Sequence, residues 1–198
     1  MFAVVESGSI TSMPKGNKGI QIGDLKYPAS IFTLWTETER NAIGVYTVEI
    51  DNTNKKDDEW YVNTEITYSF GSGKVTGTYG TATAKAIEDT DAVDNEGNKL
   101  KDENGNQIIN EGLKTIKKRI IDNECAGLLA PSDWMVIKAT ETGTTMDSGW
   151  KTWRASVRTK CNSMQTQIDN ASDVDALAAL YERNDSGVRP LGDFPIKE

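Results

Sequence analysis

Between Trp150 and Ile168 the apolar residues Trp150, Trp153, Val157, Cys161, Met164 and Ile168 fall at steps of three, four, four, three and four. That is the period of one helix face, close to the 3.5-residue repeat of a helix-packing seam. Lys151, Arg154, Arg158, Lys160, Gln165 and Gln167 fall on the other side, which is expected to be solvated. A helix of this kind draws most of its stability from burying its stripe against a neighbour. Two further periodic runs supply candidates: Leu113, Ile116, Ile120 and Ile121 before it, and Val174, Leu177 and Tyr181 after it. The C-terminal part is therefore expected to be a helical hairpin with a third short helix. Asp147 or Ser148 can cap the long helix, and Asn170 or Ser172 the last.

The N-terminal part follows another period. Phe2–Val5 and Ile20–Ile22 read as short strands, and from Val45 the chain alternates over Val45–Ile50, Trp60–Val62, Glu65–Phe70 and Lys74–Tyr79. Between these groups Thr36-Glu37-Thr38-Glu39 forms a capping box that opens a short helix, and Gly44 is placed to end it. The fold class is α+β: an antiparallel β-rich domain over residues 1–87 with one short helix, and a helical domain over 113–182. An acidic, turn-rich linker or hairpin over 88–112 joins them, and residues 183–198 form an extended tail. The linker repeats itself eight residues apart, as Asp94-Asn95-Glu96-Gly97-Asn98 and Asp102-Glu103-Asn104-Gly105-Asn106. A calcium loop of the EF-hand type requires glycine at its sixth position, whereas here it is the fourth of each unit, so tight turns are expected instead.

Chemistry is scarce. The 198 residues include no histidine, which removes the commonest general base and the commonest zinc ligand. Cys125 and Cys161 are two thiols among apolar neighbours, expected to be buried and free rather than redox-active. Gly71-Ser72-Gly73-Lys74 lacks the spacing of a phosphate loop, and no Gly-x-Ser-x-Gly elbow is present. The acids number 30, but no apolar flank singles out a pair for glycosidase chemistry. Trp60, Tyr61, Tyr68, Phe70 and Tyr79 read as sheet packing rather than as a sugar platform. No enzyme activity, cofactor or metal is expected.

A formal net charge of −8 argues against nucleic acid and against an anionic membrane surface as partners. Neither a signal peptide nor an 18-residue apolar run stands out, so the expectation is a soluble protein made in a cytoplasm.

One stretch is more specific. Leu128 to Lys138, containing Ala130-Pro131-Ser132-Asp133-Trp134, is followed by Glu141-Thr142-Gly143 and then by Trp150-Lys151-Thr152-Trp153-Arg154-Ala155-Ser156-Val157-Arg158. This resembles the C-terminal segment of tailed-bacteriophage tail proteins of the fibre-assembly and fibre- or baseplate-associated family. Trp153 stands where that family usually has tyrosine. Asp193-Phe194-Pro195 is similar to its Trp-Pro ending, and Tyr27–Phe32 with Thr36–Gly44 also resembles phage tail proteins. The resemblance implies a non-enzymatic structural protein of the phage tail (baseplate, fibre or fibre attachment), located in the virion. Its partners would be other tail proteins and copies of itself. A tail-fibre assembly chaperone and a glycan-binding receptor protein are the alternatives.

The interface or seam candidates are Trp134, Trp150, Trp153, Arg154, Val157, Arg158, Met164 and Ile168. Trp134 is expected to cover the end of the helical hairpin with its indole N–H on a carbonyl. Arg154 and Arg158 are expected to pair with Asp133, Glu141 or a partner's carboxylates.

Overall fold

A computed structural model of the chain describes residues 1–197, and they divide into two compact units, one up to Thr83 and one from Ala84 onward. The fold is α+β, strands first and helices after.

The first unit is built on a five-stranded sheet. Strands β1 (Phe2–Glu6) and β2 (Ser9–Ser12) form a hairpin, and β1 also pairs antiparallel with β5 (Val45–Asp51), Ala3 opposite Tyr46. Between them come the small hairpin β3 (Ile20–Ile22) and β4 (Leu25–Tyr27), then helices α1 (Ile31–Leu34) and α2 (Glu37–Ala42). After the short β6 (Tyr61–Val62), β7 (Ile66–Gly71) and β8 (Lys74–Tyr79) form a second antiparallel hairpin, giving the order β2-β1-β5-β8-β7.

The sheet is mixed rather than purely antiparallel, because β8 lies parallel to β5 with Val48 opposite Val75. The cause is the hairpin: the chain passes β5, lays β7 at the far edge and returns through β8 into the gap between them. As the inner strand of the β1 group, β1 is covered on both sides. Val4 joins Val45, Ile31 and Phe32 on one face, while Ala3, Val5 and Val75 pack with Tyr46, Val48 and Phe70 on the other. A strand buried on both faces reads as a continuous apolar run rather than an alternating one. The Thr36 capping box forms, with Glu39 Oε2 accepting from the Thr36 N–H at 2.7 Å. Gly44 then stands at φ +81°, where a Cβ would lie 2.6 Å from the Val5 carbonyl oxygen, so only glycine fits.

The second unit begins at Ala84, within β9 (Thr83–Ala84). The acidic stretch expected to link two domains lies inside this unit and is folded. Strands β10 (Thr90–Asp91) and β11 (Ile109–Asn110) pair at its base. Beyond them the two repeats make two tight turns, with Gly97 and Gly105 at positive φ. In each, the first aspartate clamps its own loop: Asp94 Oδ1 accepts from the Glu96 and Asn98 N–H groups, and Asp102 Oδ1 from those of Asn104 and Asn106. A closed circuit of backbone bonds ties the repeats together: Ala92 N–H to the Ile108 carbonyl (2.8 Å), Ile108 to Leu100 (2.9 Å), and Leu100 back to Ala92 (2.8 Å). We call this element, residues 88–111, the arm.

Helix α3 (Leu113–Leu129) leaves the arm directly. Its first N–H groups are taken up by the Asp89 carboxylate and by the Ala86 and Ile87 carbonyls. A 3-10 turn (Ala130–Ser132) leads into α4 (Asp133–Thr142), and the long α5 (Ser148–Asp169) then runs antiparallel to α3. Cross-links along the pair fix the direction, from Lys118–Asp169 (2.7 Å) at one end to Arg154–Leu129 (2.7 Å) at the other. Helix α6 (Val174–Ala179) follows, capped by Asp173 rather than by Asn170 or Ser172.

The buried stripe of α3 is Leu113, Lys117, Ile121 and Cys125, so Ile120, expected inside, is half-exposed at 50%. Lys117 enters the core because its aliphatic stem is buried while its ammonium rests 5.0 Å from the centre of the Tyr181 ring.

Residues 183–197 are not a loose tail. Leu191 is fully buried; its N–H bonds the Leu180 carbonyl and its own carbonyl accepts from Lys160 Nζ at 2.7 Å. Arg183 and Arg189 both hold Asp193, and the Arg183 guanidinium keeps that carboxyl below the usual aspartate range.

Candidate functional site

The sequence candidates converge where α3 ends and α5 begins. The buried set of α5 is Arg154, Val157, Cys161, Met164 and Ile168, at steps of three, four, three and four. The seam therefore starts at Arg154, not at the two tryptophans, and Arg154 is not on the solvated face: it is 7% exposed. A cation so placed needs hydrogen-bond partners, which its two Nη atoms find while its buried Nε has none. Its Nη1 reaches the Leu129 carbonyl and the Ser132 hydroxyl, and its Nη2 lies 2.6 Å from Asp133 Oδ1. One guanidinium thus closes α3, fills the 3-10 turn and fixes the first turn of α4. Of the acceptors proposed for it, Asp133 is the one it takes.

Val157, Met164 and Ile168 are completely buried in the seam. Trp150 and Trp153 are half-buried and meet edge to face at 5.6 Å. The Trp153 indole N–H donates to the Pro195 carbonyl at 3.0 Å, and Lys197 Nζ lies 5.3 Å from the Trp150 ring. Sequence reasoning missed Leu191, Lys160 and Pro195, which together strap the C-terminal segment along α5. A lone leucine between Pro190 and Gly192 leaves no periodic signal.

Trp134 overturns its expectation. It does not cover the hairpin end but stands 55% exposed, with Lys138 Nζ 5.9 Å from its ring. Its neighbours Val136 and Ile137 are also exposed, and α4 contains no buried residue at all. Two cavities flank the loop from α4 to α5. One, of about 320 Å³, lies between Trp134, Met135 and Lys138 on α4 and Asp147 and Trp150 on α5. The other, of about 450 Å³, has Val136, Ala139 and Met146 as its apolar side and Lys151, Arg154 and Arg158 as its cationic side.

Comparison of the chain with known protein families, with curated proteins and with solved structures finds no match. The site is therefore read from its own chemistry. Its floor is apolar, its cations sit at positions 151, 154 and 158 along one face of α5, and the second cavity has no carboxylate in its lining. Lys151 and Arg158 have no carboxylate partner among the described residues.

Reactive groups are not assembled there. Burial, then the adjacent Cys125 and the negative Asp122, pushes the Cys161 thiol up to about 12, far from a nucleophile's range. Among the described residues no three acids or thiols are grouped as a metal would require, and the Asp94 and Asp102 Oδ1 atoms already accept bonds from their own turns. In the first unit Trp60 is buried and Phe70 packs on Tyr46 at 4.9 Å, so these rings line the sheet rather than an open platform.

Proposed function

We propose that this chain is a non-enzymatic structural protein of a tailed-bacteriophage tail, a baseplate, fibre or fibre-attachment component that works through protein–protein interfaces. The observation that carries this reading is α4. A ten-residue helix that exposes Trp134, Val136 and Ile137 beside a cation-lined cavity is a surface suited to being covered by protein. The family resemblance adds support, because Asp133, Trp153 and Arg154 serve one local assembly in which each has a defined contact. The partners are then other tail proteins and further copies of this chain, and the place is the virion.

Mass spectrometry of purified virions tests the proposal. This chain in stoichiometric amount relative to known tail subunits is the expected result, and its absence from mature particles would refute it. A tail-fibre assembly chaperone is the second reading, and the same unburied helix favours it, since a transient partner needs a face left open between encounters. That reading predicts the chain in infected cells and only traces of it in particles. A glycan-binding receptor draws no support from the packed rings of the first unit.

A further inference from the structure

The second unit carries opposite charge at its two ends. At one end stands the arm: between residues 88 and 111 there are eight acids and two lysines. Two of the acids answer those of helix α3, Glu88 with Lys114 and Glu111 with Arg119, and Asp91 pairs with Lys99. Glu96 and Glu103, at the turn tips, reach into solvent, and Val93 and Leu100 beside them are 51% and 41% exposed. At the other end lies the cavity with Lys151 and Arg158 on its cationic side and Val136, Ala139 and Met146 on its apolar side.

The arm joins the N-terminal end of α3, whereas the cavity lies at the C-terminal end, beside Leu129. Seventeen helical residues separate them, a rise of about 25 Å. The closed backbone circuit holds the arm in one shape. An arm so held cannot fold back over the length of its own helix.

We propose that the arm of one copy of this chain docks into the α4–α5 cavity of the next, its Glu96 and Glu103 carboxylates on Lys151 and Arg158 and its Val93–Leu100 side on Val136 and Ala139. The contact joins unlike surfaces, so it repeats head to tail and closes into a ring or extends as a filament. Both surfaces are supplied by one sequence, and the charge complementarity selects this occupant over an unrelated protein. The inference rests on the reading above only in treating the cavity as a protein interface, and a solution experiment tests it without reference to virions.

The experiment is sedimentation velocity of the full chain over about 5–200 µM, in about 50 mM and about 500 mM salt, where the screening length falls from about 14 to 4 Å. The expected result is concentration-dependent association at low salt that weakens at high salt. K151E with R158E, and separately E96K with E103K, are each expected to raise the dissociation constant at least about tenfold, as loss of close interfacial charge pairs does. Mixing the two double variants is expected to restore association, since each then offers an arm that matches the other's cavity. Circular dichroism verifies that both remain folded. A monomeric wild-type chain at the highest concentration and low salt would overturn the proposal and leave the cavity to a different tail protein. Association that the arm variant leaves intact but Trp134→Ser abolishes would overturn it in favour of a two-fold contact through α4.

Discussion

Helices α4 and α5 start from the same buried guanidinium and have opposite fates. In α4 the apolar residues Trp134, Met135, Val136 and Ile137 are consecutive, and none of them is buried. In α5 the sequence is largely polar, yet five residues are buried in a row along one side. Consecutive positions on a helix turn by about 100°, so a cluster of four spreads its side chains around the whole circumference. Steps of three and four keep them on one line. Spacing, more than apolar content, decides which helix joins a core. The helix that fails the spacing test remains as surface, held at its first turn by Asp133 on Arg154.

Substitutions can break this contrast in graded steps. Ile168→Ala should cost the most, about 3–4 kcal/mol, because the side chain has no exposure and the cavity cannot refill. Urea denaturation measures it, and a loss below about 1 kcal/mol would mean the seam ends earlier. Arg154→Ala should cost about 2–3 kcal/mol by removing a buried cation's bonds to the Leu129 carbonyl, the Ser132 hydroxyl and the Asp133 carboxylate. It should also release α4, so hydrogen exchange at Trp134–Ala139 should quicken while the α5 seam stays protected.

Trp153→Phe keeps most of the ring and removes only the bond to Pro195, for about 1 kcal/mol. Limited proteolysis with trypsin should then cut the C-terminal strap faster, at Arg183. Ile137→Ser should move stability by no more than about 0.5 kcal/mol, since nothing in the isolated chain covers that residue. A large loss there would place a neighbour over α4.

Acid should act on the arm more gently. Bonds from Asn98 hold the Asp94 carboxyl below its ordinary 3.8, and bonds from Asn106 do the same for Asp102. A carboxylate depressed in the folded form contributes its stabilisation above the ordinary value and loses it as pH falls through the folded value. The Asn98 and Asn106 amide resonances should therefore titrate with midpoints below 3.8, and a midpoint at or above 3.8 would show that the turn bonds are not formed.

Much of this organisation is legible in the chain itself. The capping box at Thr36 and the strands from Val45 to Tyr79 follow from local chemistry, and the α5 seam follows its spacing from Val157 to Ile168, with Arg154 in place of the two tryptophans at its start. What escapes is what depends on distant partners. Arg154 reads as a solvent residue because charge is normally outside, and its burial follows from distant acceptors, the Leu129 carbonyl, the Ser132 hydroxyl and the Asp133 carboxylate. The parallel register of β5 and β8 is a property of chain routing, which no local period records. Trp134 reads as a cover for the hairpin end because large aromatics usually find something to pack on, but a helix with four adjacent apolar residues has no single inward face, and the ring stays exposed.

The circuit through Ala92, Leu100 and Ile108 also constrains how this sequence can change length. Two links join residues eight apart and the third spans both repeats, from Ala92 to Ile108, so deleting one repeat removes a member of the circuit and leaves a backbone donor and acceptor without their partners. Extra residues at the Glu96 or Glu103 tips fall outside the loop of bonds and leave it intact. Insertions and deletions should therefore accumulate at the tips and be excluded from the three anchoring positions, so that the arm can vary in reach while its root stays fixed.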